Sequence, residues 1–512
     1  MEDTVQSLAQ PDENRLLLVE QAKPRDTEYP PTPWLARWPV LAIAGGVGLV
    51  LLLASGRVGY FADELYFLAA GRHLSWGYAD QGPLAPLLAR AMDSIFPGSL
   101  VAERLPVTIL TAAGVFVAAL IARELGGQRR AQVLTAGAYA MGMLTGGHLF
   151  TTAAIDVVMW TAATWLLVRW VRLRDDRLII ALGGLTAIAL QNKLLIVALW
   201  IVAGLSVFVF GPRELLRRPA LWLGASIAVV AILPNLIWQA HHGWPQLELT
   251  RVIASEPFSG GGLAFLPLAL ANAGILLGAT LVCYGLWRLL RSSELRPYRF
   301  LGWTLLGLTT LFLITGGRFY YIQGLFPVCW AAGTVELQRH SPARWWRWVF
   351  SVPVYVLSTV VALTGLPVLP ASWPTPAWPV SQASLGWPEV TETVADVYHS
   401  PSLASRHNMV VMTEWFWDAA AIDRFGPAQG IPHVYSAHRG YWYFGAPPDS
   451  ADTVLFVGSD PAYLHQFFTE VHQVATITSG PAMNLFSYRT PVWLCSGQHE
   501  PWSRLWPQLR HL

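Results

Sequence analysis

Apolar runs long enough to cross a bilayer recur through the first two thirds of the chain, and nothing else constrains its fold as strongly. A spanning helix needs roughly 20 apolar residues, within a working range of about 17–25. Candidate runs fall near 38–54, 105–122, 131–147, 156–173, 178–190, 194–210, 219–238, 263–287, 300–315, 320–336 and 346–366, with 178–190 the shortest. The sequence therefore predicts an all-α polytopic membrane protein of about eleven transmembrane helices. Charge content agrees. Only 13% of the 512 residues are charged, against about 25% in a chain whose whole surface meets water. A formal net charge of +2 gives no broad cationic surface for a nucleic acid. Cys283, Cys329 and Cys495 fit neither a disulfide framework nor a thiolate metal motif.

Arginine orients the spans, because short cytoplasmic loops collect basic residues. Arg123, Arg129 and Arg130 mark one such loop, followed by Arg169, Arg172, Arg174 and Arg177. Arg213, Arg217 and Arg218 come next, then Arg288, Arg291, Arg296 and Arg299, then Arg339, Arg344 and Arg347. The alternation holds if 178–210 crosses twice. It predicts a plasma-membrane protein with a cytoplasmic N-terminus and an extracytoplasmic C-terminal region. Residues 1–37 are polar and mixed in charge and read as a disordered cytoplasmic tail, with no cleavable signal peptide. Residues 38–366 form the membrane domain, and 367–386 form a linker rich in Pro, Trp and Ser.

Residues 387–512 read differently. Runs 408–412 and 453–457 resemble buried strands, and 416–425 and 461–470 resemble helices. The expectation is a small α/β domain outside the membrane. Within the long first outer loop, 55–104, segments 63–74 and 84–96 have helical periodicity. They are expected to lie on the outer leaflet as amphipathic helices.

With this topology the unusual polar residues fall on one face. Asp63, Glu64, Asp80, His148, Lys193, His241, His242 and Arg318 are all placed outside. Charge at membrane depth is costly and is usually functional, so their convergence marks an active site. Each residue has a plain job and a sharper one. Asp63 and Glu64 open a helix, where carboxylates cap, and Asp63 also suits a general base. Glu64 can hold structure or a cation. Asp80 precedes a Gly82-Pro83 turn and can cap, or face a ligand's polar end. With other carboxylates and a histidine it can hold a divalent ion. His148 is a turn histidine or a phosphate donor. Asp156, at the outer edge of a span, is expensive to desolvate.

Only Lys23 and Lys193 are lysines, so Lys193 stands where arginine is the chain's habit. At the tip of a tight hairpin, its compact charge suits phosphate or snorkelling. Arg318 opens a span with Tyr320 and Tyr321 close behind. It serves as a phosphate partner or an interfacial anchor. Glu414 to Trp417 and His438 to Tyr443 are aromatic-rich, suited to packing or to stacking on sugar rings.

These residues carry a resemblance. The stretches Asp63-Glu64-Leu65-Tyr66-Phe67 and Gly77-Tyr78-Ala79-Asp80-Gln81-Gly82-Pro83-Leu84 resemble GT-C glycosyltransferases of the family-39 type. That group includes protein O-mannosyltransferases and bacterial aminoarabinose transferases. Arg104, Arg123 to Gly127, Asn192-Lys193, Pro234-Asn235, Trp238, Phe319-Tyr320-Tyr321 and Pro327 extend the likeness. So do Gly386-Trp387-Pro388 and Trp502 to Trp506. It covers most of 55–340 and is nearest to the bacterial dolichyl-phosphate-mannose-protein mannosyltransferase-like branch. The resemblance implies a polyprenyl-phosphate sugar donor, inverting transfer, Asp63 as base, and phosphate contacts from Lys193 and Arg318. The acceptor can be a protein, a glycan or a lipid. Gly82 departs from the branch, which usually has proline there.

Two other classes are compatible with an outer-side charge cluster: a lipid-linked sugar flippase and a non-catalytic assembly subunit. A transporter should carry its functional residues near the bilayer midplane and show repeat symmetry. Here the charges sit at one edge and no repeat is visible.

Overall fold

A computed structural model describes residues 32–255, 262–340, 344, 346–367, 383–400, 408–478, 487 and 489–512. Most of the expected tail and linker lies outside the described residues. The membrane domain is helical, as expected. Its principal elements are α1 (Arg37–Ser55), α2 (Ala62–Arg72), α3 (Leu84–Ile95), α4 (Leu100–Glu124), α5 (Arg129–Met143), α6 (Thr152–Leu173) and α7 (Arg177–Asn192). They are followed by α8 (Ile196–Phe210), α9 (Pro219–His241), α10 (Pro245–Ser255), α11 (Phe265–Asn272) and α12 (Ile275–Arg291). The last are α13 (Arg299–Thr315), α14 (Phe326–Arg339) and α15 (Val352–Thr364).

Among the described residues, five helices are long and apolar enough to cross a membrane, or six if a bent pair counts as one span. Helices α7, α8 and α15 are apolar but shorter. The expected count of eleven is therefore not reached on length and composition. Two expected spans are also broken. The run 263–287 is α11 and α12, bent by 104° at Gly274, whose φ is +96°. That left-handed geometry is cheap for glycine and ends a helix. The run 320–336 begins as a 3-10 turn, Phe319–Leu325, before α14. Pro327 sits at the start of α14, where its missing N–H costs nothing.

Apolar side chains on α1, α8 and α9, such as Leu53, Phe208, Trp222 and Val230, point outward and are exposed. An outward apolar face suits lipid, not water. At one end of the bundle the arginines pair with buried glutamates. Glu124 takes Arg169 at 2.8 Å and also Arg172. Glu336 takes Arg288 and, at 3.0 Å, Arg339.

The C-terminal domain holds a five-stranded sheet in the order β2-β1-β3-β5-β4. The strands are β1 (Met409–Thr413), β2 (Val434–Ser436), β3 (Thr453–Val457), β4 (Phe468–Thr476) and β5 (Pro491–Gln498). β1 runs parallel to β2 and β3, whereas β5 is antiparallel to β3 and β4. Helices α16 (Trp387–Tyr398), α17 (Phe416–Phe425), α18 (Pro461–Leu464) and α19 (Trp502–Leu509) complete it. The strands read from 408–412 and 453–457 form, as does the helix 416–425. The helix expected over 461–470 does not: it stops at Leu464, and Phe468 opens β4. Pairing with β5 overrides the local helical pattern there, and a distant partner is invisible in a local window.

Helix α2 also differs from expectation. It is not a one-sided surface helix, because Ala62 and Glu64 to Gly71 are all buried. It lies between α3 and α17. Leu65, Tyr66 and Phe67 share one apolar core with Trp387, Phe416, Ala420 and Tyr441. The C-terminal domain and the first loop thus bury a common surface.

Candidate active site

The site is built on α2. Its first turn holds Asp63 and Glu64, where carboxylates complement the helix dipole. Glu64 reaches back to accept the Phe61 N–H at 2.8 Å. It also accepts the Phe150 N–H at 2.8 Å and a two-pronged bond from Arg104, both prongs 2.8 Å. Arg104 donates further to the carbonyls of Ser55 and Gly59. Both side chains are fully buried. Every strong acceptor direction of Glu64 is taken, so its role is to fix α2 against α4 and the loop before α6. Asp63, its neighbour, is part-exposed and free of that framework.

Asp80 arrives from the next turn of the same loop, where the Tyr66 hydroxyl donates to it at 3.0 Å. The loop is clamped from α9 and beyond. Asn235 donates to the Trp76 carbonyl at 3.1 Å, and Gln239 to the Tyr78 carbonyl at 2.9 Å. Gln246 donates to the carbonyls of Tyr78 and Gln81. The Gly82 N–H donates to the Asn192 carbonyl at 3.2 Å. A Cβ on Gly82 would sit 2.1 Å from the Gln191 carbonyl oxygen. The departure from proline therefore has a steric reason: loop and hairpin backbones touch. Gly82→Ala is expected to cost about 1–3 kcal/mol by forcing them apart, read as a lowered Tm together with reduced turnover.

That hairpin carries Lys193. Asn192 donates to Asp156 at 2.7 Å and to the Thr152 carbonyl at 2.9 Å, which ties α7 to α6. The Lys193 ammonium lies 4.8 Å from the centre of the Tyr321 ring. Asp156, Lys193, Tyr320 and Tyr321 line one small cleft. Tyr320 is within electrostatic reach of Lys193, Arg318 and Asp63. Lys193, Tyr320 and Tyr321, three of the phosphate candidates, therefore share that cleft. His148 does not join them. It is buried, its Nδ1 bonds the Thr145 carbonyl at 2.7 Å, and burial followed by the Arg104 charge lowers its pKa to about 4. It is neutral at pH 7. His242 stacks on Trp238 at 4.0 Å and packs edge-on to Tyr443. That is packing between the two domains.

Sequence reasoning missed one residue. Arg439, from the C-terminal domain, acts on both Asp63 and Asp80. Its backbone is held at φ +49°, and its N–H donates to the His511 carbonyl at 2.9 Å. Its guanidinium lies over Phe416 at 5.2 Å. The next residue, Gly440, presses on the Tyr66 hydroxyl so closely that a Cβ would lie 1.8 Å away. The motif His438-Arg439-Gly440 was visible in the sequence, but nothing local tied it to a loop some 360 residues earlier.

Burial raises the Asp63 pKa to about 6. Arg439 and Lys193 pull it back, while Asp80 and Glu64 push it up. Asp80 is raised as well, mainly by burial. A carboxyl poised near neutrality suits a general base. Arg439→Gln is expected to move the acid limb of the pH–rate profile up by about one pH unit. An unmoved limb would separate Arg439 from Asp63. For a divalent ion, Asp63 and Asp80 are the carboxylates left, with Glu64 occupied. No group of three or more His, Cys, Asp or Glu gathers in metal-binding geometry among the described residues.

This architecture, with charged residues on a first-loop helix at one end of an apolar bundle and a small α/β domain above it, is the GT-C glycosyltransferase fold. Residues 80–238 match the family model described as dolichyl-phosphate-mannose-protein mannosyltransferase. That stretch contains Asp80, Asp156 and Lys193, and Asp63 lies just before it. The structure is similar to ArnT from Cupriavidus metallidurans in the apo state, with TM-score 0.59 and 15% identity. The likeness covers 89% of this chain and 97% of that one. It is also similar to ArnT of the same organism bound to undecaprenyl phosphate, with TM-score 0.56, 15% identity and the same coverage. No curated protein matches the sequence.

Proposed function

We propose that the protein transfers a monosaccharide from a polyprenyl-phosphate donor to an acceptor hydroxyl on the extracytoplasmic side of the plasma membrane. The carrying observation is convergence. The first loop that carries Asp63 and the hairpin that carries Lys193, some 130 residues later, meet where the Gly82 N–H donates to the Asn192 carbonyl at 3.2 Å. An ArnT of similar fold has been solved bound to undecaprenyl phosphate, which supports a lipid-phosphate donor here. The arginine-rich opposite end supports the orientation, since short cytoplasmic loops are basic.

Asp63 takes the proton of the acceptor hydroxyl as its oxygen attacks the anomeric carbon. The carbon–oxygen bond to phosphate breaks, and the phosphate leaves with the electron pair. A single displacement inverts the anomeric centre. Lys193 and Arg318 offset charge growing on the leaving phosphate, with Tyr320 and Tyr321 adding hydroxyl donors. Asp80, held by Tyr66, faces the same space and orients the donor or acceptor. Asp156 keeps the Lys193 hairpin in register through Asn192. No nucleotide site is needed, because the donor is already activated.

The test is an assay of purified protein with polyprenyl-phosphate-linked mannose, galactose and aminoarabinose, following release of polyprenyl phosphate. Turnover with one of them is expected. Lys193→Gln should weaken donor binding by about tenfold or more, the worth of one charge-assisted hydrogen bond. Donor transport without sugar transfer would replace this reading with a flippase.

A further inference from the structure

The C-terminal sheet has a crossover of its own. From β1 the chain goes to β2 on one side, and β3 then returns to the other side of β1, all three parallel. The carboxyl ends of such strands separate at the reversal and leave a crevice, the usual ligand position in open α/β sheets. A cavity of about 360 Å³ lies there, between β1 and β3. That volume falls at the low end for small-molecule sites and suits one or two sugar rings.

Its walls are chemically mixed. Glu414 follows β1, and Ser459 and Asp460 follow β3, with Tyr463 and His511 beside them and Phe456 at the base. The Glu414 carboxylate accepts the Ser459 N–H at 2.5 Å. Ser459 is held at φ +73°, directly after Gly458 at +98°. Two successive left-handed residues make a sharp turn, and a non-glycine residue there is strained. Strain of this kind is typically kept at ligand clamps. Two carboxylates disfavour a phosphate and favour a ligand that offers O–H groups. Tyr463 adds an aromatic face beside them.

The segments that continue from the strands flanking the cavity also meet the first loop. β1 runs on through Glu414 and Trp415 to Phe416, whose ring is 5.1 Å from Tyr66. β2 runs on to Arg439 and Gly440, which reach Asp63 and Tyr66. His511 joins the two: its Nε2 bonds the Glu414 carbonyl at 3.0 Å, and its own carbonyl accepts the Arg439 N–H.

We propose that the crevice between the carboxyl ends of β1 and β3 is a saccharide-binding subsite that holds a neutral glycan acceptor beside Asp63. The acceptor assignment rests on the transferase reading above. Saccharide binding by the crevice stands apart from it.

The test is saturation-transfer NMR and calorimetry on the detergent-solubilised full chain, with mannobiose, galactobiose and arabinobiose as probes. At least one disaccharide is expected to bind. Asp460→Asn, which keeps the helix cap, and Tyr463→Ala should each weaken that binding about tenfold. Absence of binding by all three, or binding untouched by both variants, overturns the subsite. Binding of a Ser/Thr-rich peptide that these variants abolish, with no disaccharide bound, overturns it in favour of a protein acceptor. Disaccharide binding lost in the variants, in a protein that turns over no polyprenyl-phosphate sugar, supports the subsite and overturns only its acceptor role.

Discussion

Asp63→Asn is expected to lower the transfer rate by about 10²–10⁴-fold, the usual worth of a positioned general base, while polyprenyl-phosphate binding persists. The substitution is nearly isosteric. The backbone of α2 does not lean on Asp63, because Glu64 makes the bonds to Phe61, Phe150 and Arg104. A loss of rate can therefore be separated from a loss of fold by an unchanged Tm. The pH dependence gives a second check. A base works ionised, and burial raises the Asp63 pKa to about 6. The wild-type kcat/KM should be flat above that pH and fall about tenfold per pH unit below it. In Asp63→Asn the limb should vanish with the activity. Undiminished transfer by the variant, or an acid limb that survives in it, assigns the proton to another group.

The largest effect on stability is expected from Arg104→Met. It removes four donated bonds at once, two to Glu64 and one each to the carbonyls of Ser55 and Gly59. It also strands a fully buried carboxylate. Breaking one side of a buried ion pair costs about 3–5 kcal/mol, a large share of the roughly 5–15 kcal/mol that holds a domain folded. A steep fall in Tm in detergent and poor recovery from membranes are the expected results. Glu64→Gln in the same chain should restore part of the loss, because a neutral amide is cheaper to bury than an unpaired charge. Equal melting of Arg104→Met and wild type would remove Glu64 from the framework role.

The expected positions of the two carboxylates met different fates in space. Adjacent in sequence, Asp63 suits a general base and Glu64 a role in holding structure or a cation. On a helix they point about 100° apart, so one enters the framework and the other stays at the site. The hairpin reading of Lys193 carried further. A hairpin tip at a bundle end leaves little freedom in where its side chain lies, and Tyr320 and Tyr321 are beside it. His148 shows the opposite case. A turn residue on the expected face of the membrane is nonetheless buried, with its Nδ1 on the Thr145 carbonyl.

What the sequence determined by itself was the environment: apolar runs, an arginine-poor set of loops, and the short segments Asp63 to Leu84 and Asn192-Lys193 to which the proposed chemistry is assigned. Hydrophobic transfer and the cost of membrane charge act residue by residue, so composition and order are enough to read them. Tertiary structure alone decided the broken spans, the strand β4, the tight seat of Gly82 against Gln191, and the packing of Arg439-Gly440 onto Phe416 and Tyr66. Each depends on a partner far along the chain. Such contacts are chosen by packing and by the closure of long loops, which no local pattern encodes.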